Sequence, residues 1–164
     1  MPASLKTKPA KRNSSRILIK APTIEPDRQP YVLDHQVGFI LRQVMQRHVS
    51  IFTERIGNEL TPRQFAALAK LYECGALSQN RLGRYTAMDV ATIKGVVDRL
   101  THRGFTKVQA HPADARLLLV QLTSKGRAAV EWAIPRAFDI SQQTLSPLTK
   151  KERATFLRLL RRLS

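Results

Sequence analysis

The chain carries a single cysteine, Cys74, in 164 residues, so no internal disulfide can brace it. Its four histidines stand apart from one another and from Cys74, and no set of side chains has metal-ligand spacing. It has no nucleophile–histidine–acid arrangement and no glycine loop fit to cradle phosphate, which argues against an enzyme and leaves no cofactor to expect. Apolar runs are short. None approaches the roughly 18 residues of a membrane span, and Ile17-Leu18-Ile19 is too brief for a secretory core. Acids are scarce, with 12 Asp and Glu against 28 Lys and Arg, for a formal charge of +16. The expectation is a soluble, cytoplasmic protein whose partner is a polyanion.

What is present suffices for a core. Hydrophobic residues make up 43% of the chain, and the length suits one domain with an elaboration. The charge is uneven. Residues 1–20 hold Lys6, Lys8, Lys11, Arg12, Arg16 and Lys20 with no acid, alongside Pro2, Pro9, Ser14 and Ser15. Such a segment cannot bury enough apolar surface to offset its ordering entropy and reads as a disordered arm. It either adds nonspecific phosphate contacts or serves as a solubilising tail, and its composition would also pass for a transit peptide. Pro22, Pro26 and Pro30 mark a linker, so residues 1–30 are arm and linker and residues 31–164 the domain.

Across residues 31–55, Val37, Leu41, Val44, Ile51 and Phe52 fall on one helical stripe. Gly57 loosens the chain. Thr61-Pro62-Arg63-Gln64 then opens a second helix with a cap, a proline at the first position and a capping-box glutamine. Phe65, Leu68, Leu71 and Tyr72 form its apolar face, and Gly75 ends it. Ser78 caps a short helix with Leu82 and Tyr85. After Thr86-Ala87-Met88, Asp89 caps another that runs to about Arg103. Ile93, Val96, Val97 and Leu100 make its buried stripe, leaving Asp89, Thr92, Lys94, Gly95 and Arg99 largely off it. Strands are expected at residues 105–109 and 117–122, joined by a loop longer than a tight turn. Thr123 begins a long helix that Pro135 must kink or interrupt. Thr149 and Glu152 form a second capping box before Phe156, Leu159, Leu160 and Leu163.

Helix, short turn, helix and hairpin is the order of a winged helix-turn-helix. The expected fold is therefore mainly α with a small β-hairpin wing. Residues 77–126 hold eight basic and three acidic side chains, which suits DNA. Asp114-Ala115-Arg116, followed after five residues by Leu122-Thr123-x-x-Gly126, resembles the wing signature of the MarR family of bacterial regulators. Ala91-Thr92-Ile93, residues 96–100 and Arg103-Gly104-Phe105 are similar to that family's recognition helix and its exit. Leu60-Thr61-Pro62-Arg63-Gln64-Phe65 is similar to the start of its second helix. The resemblance implies a homodimer built on helices at about residues 31–56 and 123–163, with the winged module at about residues 58–122. It also implies a repressor reading a pseudo-palindromic duplex.

The residues expected at DNA follow from both readings. Thr92, Lys94, Gly95 and Arg99 would face bases or phosphates in the major groove, with Thr86 and Asp89 beside them at the start of the helix. Arg81 and Arg84 would touch phosphates. The resemblance places Arg116 in the minor groove, with Asp114 orienting its guanidinium, or else the pair only staples the hairpin. An arginine common near the middle of the family's recognition helix is replaced here by Lys94-Gly95.

MarR-type dimers commonly release DNA on binding a small aromatic acid. In the first helix Phe39, Arg42, Gln43 and Gln46 share one face, where a ring, a guanidinium and amides would suit a planar carboxylate, although a solvated polar face fits equally. His48 extends the apolar stripe, as either a core residue or a ligand contact. Residues 31–38, Gln46-Arg47-His48, residues 86–89 and residues 93–100 also look like those of repressors of nicotinate degradation, which implies a hydroxylated nicotinate as inducer. Peroxide-sensing relatives use an earlier cysteine, so Cys74 is expected to be buried and structural. The rival function is a nonspecific nucleoid or ribosome-associated nucleic-acid coat.

Overall fold

A computed structural model describes residues 30–164, and the basic arm and most of the proline linker lie outside the described residues. The chain divides between Leu33 and Asp34, and everything that follows concerns the second unit, Asp34–Ser164. Its helices are α1 (Val37–Ile56), α2 (Pro62–Cys74), α3 (Gln79–Tyr85), α4 (Val90–His102), α5 (Ser124–Thr144) and α6 (Lys150–Leu160). Its strands are β1 (Leu77–Ser78), β2 (Thr106–His111) and β3 (Asp114–Leu122), in the order β1-β3-β2, all antiparallel.

The helix starts form where the local chemistry places them. Thr61 accepts from the Gln64 N–H at 3.3 Å while Gln64 Oε1 accepts from the Thr61 N–H at 3.0 Å. Asp89, Thr123 and Thr149 cap α4, α5 and α6 in the same i, i+3 manner. Leu68 and Leu71 of α2, Leu82 of α3, Ile93, Val96, Val97 and Leu100 of α4, and Val120 of β3 form one core with Val130, Ala133 and Ile140 of α5. Burying these aliphatic side chains, at about 1.5–3 kcal/mol each, holds the winged module on α5.

Five expectations change. The first helix begins at Val37 behind a single 3-10 turn, and its stripe splits. Ile51, Phe52 and Ile56 are buried, whereas Val37, Leu41 and Val44 are exposed because α1 runs past the core that its last turns reach. The strands lengthen to His111 and Asp114, leaving only Pro112-Ala113 between them, so the wing is a tight hairpin. A third strand, β1, pairs Leu77 with Val120 and Ser78 with Leu119. Two residues between helices carry no period, which is why no strand was expected there. Pro135 does not interrupt α5, which continues to Thr144 with one fewer N–H donor. Cys74 is exposed because it is the last residue of α2, one turn past Leu71, where the helix leaves the core.

Gly126 explains the glycine of the wing signature. A Cβ there would stand 1.9 Å from the Phe105 carbonyl oxygen. That oxygen accepts from the Thr123 N–H at 3.1 Å, so the start of α5 is seated directly on the strand entry. Only a residue without a side chain permits this approach.

Candidate nucleic-acid interface

The recognition element rests on α3 and α4. Thr86 ends α3 by donating its hydroxyl to the Leu82 carbonyl at 2.7 Å. Ala87 then turns with φ 51°, and the Met88 N–H returns to the Gly83 carbonyl at 2.9 Å. Gly83 lets this turn close, since a Cβ would meet Ile93 Cγ2 and the Met88 carbonyl oxygen, each at 3.1 Å. The two helices are thereby held at a fixed angle before any partner arrives.

Asp89 is consumed by its cap. Its Oδ1 accepts from the Thr92 N–H at 2.8 Å and its Oδ2 from the Thr92 hydroxyl at 2.7 Å. These bonds, the backbone one foremost, hold the carboxyl below its ordinary range. Asp89 and Thr92 therefore fix the start of α4, with Thr92 half-buried and its hydroxyl already engaged. Thr86 is likewise committed to the chain's own backbone.

The outward side of α4 is then set by Val90, Ala91, Lys94, Asp98 and Arg99, all exposed, with half-buried Gly95 among them. The Arg99 guanidinium folds toward Gly95, whose missing Cβ would come within 3.4 Å of Arg99 Nη1. Ala91 and Gly95 make a low floor between Lys94 and Arg99, so backbone can come close to a groove edge. Val90, 68% exposed at the helix tip, was missed in the sequence because it belongs to no apolar stripe. An apolar side chain at that place suits a thymine methyl.

In the wing, Asp114 Oδ1 accepts from the Arg116 backbone N–H at 3.0 Å. The expected bond to the Arg116 guanidinium is replaced by this one, a local contact in which an aspartate accepts from the amide two residues on. On the opposite strand His111 Nδ1 accepts from the Ala113 N–H at 3.1 Å. The wing tip is thus tied on both sides, and Arg116 projects from it exposed. On α3, Arg81 donates Nε and Nη2 to the Tyr85 hydroxyl at 3.0 and 2.8 Å and lies over its ring. Arg84 is exposed beside this clamp.

Among the described residues the ion pairs are Lys70–Glu73, Arg103–Glu59 and Arg127–Glu131. Arg81, Arg84, Lys94, Arg99 and Arg116 take part in none of them. Five cations that join no ion pair among the described residues thus lie exposed on two helices and a hairpin of one module, with the carboxylate of Asp98 also exposed on α4.

The residues considered for a small ligand do not all meet. Arg42 and Gln46 share a depression on α1 with Met45, Val49 and Ser50. Phe39 and Gln43 lie along the same side of the helix, Phe39 half-buried. His48 faces the other way, into a groove of about 360 Å³ lined by Leu41, Val44 and Met45 of α1 and by Phe156, Leu157 and Leu160 of α6. Its Nδ1 lies 2.9 Å from the Thr144 hydroxyl, which itself donates to the Ile140 carbonyl at 2.8 Å. With its proton so used, the hydroxyl accepts from His48 Nδ1. Another apolar hollow, unforeseen in the sequence, lies between Phe65 of α2 and Ile134, Ala137, Phe138 and Ser141 of α5.

A model of the MarR family matches residues 60–118, from the entry to α2 into the wing. The chain is 39% identical over 138 residues to the HTH-type transcriptional repressor NicR of Pseudomonas putida, across 84% of this chain and 87% of that one. The chain belongs to the MarR family. A crystal structure of a probable transcriptional regulator from Pseudomonas aeruginosa is 52% identical with a TM-score of 0.77, covering 81% of this chain and 100% of that one. BpsR of Bordetella bronchiseptica, whose DNA binding is regulated by 6-hydroxynicotinic acid, is 43% identical with a TM-score of 0.78, covering 82% and 97%. This MarR-family chain is a DNA-binding transcriptional repressor with a winged helix-turn-helix. MarR-family repressors bind operator DNA as dimers, which accords with the apolar residues α1 and α6 leave exposed in one chain. No helix among the described residues is long and apolar enough to cross a membrane.

Proposed function

We propose that this repressor works in the cytoplasm as a homodimer, reading each half of a pseudo-palindromic operator with the outward side of α4 and with Arg116 of the wing. Lys94 and Arg99 flank the Ala91–Gly95 floor and contact base edges or phosphates in the major groove, while Arg81 and Arg84 contact the backbone. Arg116 enters the minor groove. Asp89, Thr92 and Thr86 act one step back, fixing the helix that carries the contacts. The observation that supports this reading is the set of five unpaired cations on rigid, capped elements of a single module.

The inducer is a small planar aromatic carboxylate of the hydroxylated nicotinate kind. Arg42, exposed and in no ion pair among the described residues, binds its carboxylate, with Gln46 and Gln43 as hydrogen-bond partners and Phe39 beside the ring. Similarity to NicR and to a regulator controlled by 6-hydroxynicotinic acid supports that ligand class. Release requires only that the ligand prefer a geometry in which the two recognition helices do not match the operator.

The test is selection of a duplex from a random pool, followed by titration of 6-hydroxynicotinate, nicotinate and benzoate against the complex. Palindromic selected sites, and release by the hydroxylated acid that Arg42→Ala abolishes, are the expected results. A pool with no preferred sequence at raised salt would instead establish the nonspecific nucleic-acid coat.

A further inference from the structure

The two sides of α6 differ sharply. Phe156, Leu157 and Leu160 turn toward Leu41, Val44 and Met45 of α1. The side away from them carries Lys150, Lys151 and Arg158, and Arg161 and Arg162 follow in the turn just past the helix, every one exposed. At 3.6 residues per turn the three helical cations fall within roughly a third of the helix circumference. The one acid of the helix, Glu152, is bound to Thr149 in the capping box, and Arg153 is turned inward onto Gln142 and the Leu148 carbonyl. None of the five outer cations joins an ion pair among the described residues. Arg158 with Arg161 and Arg158 with Arg162 are like-charged neighbours at i, i+3 and i, i+4, a repulsion that nothing within the described chain relieves.

The winged module and this stripe stand at opposite ends of α5 in the chain. Helix α5 is seated on the wing sheet at Thr123 and then runs 21 residues, roughly 30 Å, before the chain turns into α6. At physiological salt a charge is screened over about 8 Å, which is less than the length of α5, the helix that joins the wing sheet to α6. We propose that the outer side of α6 is a second polyanion site that takes the phosphate backbone of a separate DNA duplex, so that one repressor can bridge two DNA segments. A lipid surface fits less well, because Phe156, Leu157 and Leu160 line the groove against α1 and only Leu159 and Leu163 remain exposed to enter it, against five cations. Backbone contacts need only exposed cations and carry no sequence preference.

The experiment uses the full chain bound to an immobilised duplex taken from the selection above, to which a fluorescent duplex of unrelated sequence is added at about 50 mM salt. Capture of the second duplex is expected, and Lys151→Glu with Arg158→Glu and Arg162→Glu should lower it at least about 10-fold while affinity for the selected duplex changes less than about 2-fold. The salt slope of capture should fall by about three, one for each phosphate contact removed. Should the reversal unsettle the helix, as loss of selected-duplex binding would reveal, the glutamine versions of the three residues give the same readout. No capture by the wild-type chain overturns the proposal, as does equal capture by the substituted chains, which would assign it to the arm. Loss of binding to phosphatidylserine vesicles in the substituted chains with duplex capture intact overturns it in favour of a membrane. Failure of sequence selection, by contrast, bears on the operator reading alone.

Discussion

Replacing Gly126 with alanine separates two opposite effects of one methyl group. Gly126 lies in the first turn of α5, where alanine is ordinarily the better helix former by up to about 1 kcal/mol. Against that, the added Cβ would meet the Phe105 carbonyl oxygen at 1.9 Å and its carbonyl carbon at 2.8 Å. Ordinary contact needs well over 3 Å, so strand entry and helix start must part by more than an ångström. Overpacking of this kind costs about 1–3 kcal/mol or more. The shift also breaks the bond from the Thr123 N–H to the Phe105 oxygen, worth about 1 kcal/mol. It further displaces a Phe105 ring held between Arg103 and Lys125. The net expectation is a loss of about 3 kcal/mol, or a Tm lower by about 6–12 °C for a domain of this size. Thermal unfolding of both proteins at one matched concentration reads it directly, since a dimer's Tm depends on concentration. An unchanged or raised Tm would refute the close approach and leave the wing-signature glycine without its structural reason.

Arg116→Ala should weaken binding to the selected duplex about 10-fold while sedimentation still reports a dimer, and unchanged affinity removes the arginine from the minor groove. At Ala87, whose φ is 51°, glycine should be nearly neutral, because relief of left-handed strain offsets its greater unfolded entropy. Valine at the same place should destabilise by about 1–2 kcal/mol, and equal melting of the two variants would deny the strain. The Asp89 and Glu152 carboxyls are held below their ordinary range by hydrogen bonds, the first from Thr92 and the second from the Thr149 hydroxyl. A depressed folded-state pKa contributes stability above the unfolded value and loses it as pH falls. Denaturation midpoints should therefore hold near pH 6 and decline below about pH 4.5, and Asp89→Asn with Glu152→Gln should flatten that decline. A decline of the same steepness in the doubly substituted protein would place the acid sensitivity elsewhere.

The helices were legible because their signals are local. Thr61 with Gln64, Asp89 with Thr92 and Thr149 with Glu152 interact across three residues, so the sequence displays cap and partner together. The order of helix, turn, helix and hairpin followed from those starts, and Lys94 and Arg99 followed from their places off the buried stripe of α4.

What needed the tertiary structure involves residues far apart in the chain or a choice between nearby partners. Helical spacing did put Phe39, Arg42, Gln43 and Gln46 on one side of α1, but only packing against Thr144 showed that His48 turns away into another groove. Asp114 took the Arg116 backbone amide rather than its guanidinium, a choice between two nearby partners that the sequence leaves open. Cys74 emerged at the surface, although its residue type favours burial, because α2 ends there, one turn past the last residue that the core covers. The abundance of positive charge was plain in the composition from the start. Its distribution between the winged module and the far side of α6 was decided by packing, which turns Phe156, Leu157 and Leu160 onto α1 and leaves the cations of α6 outward.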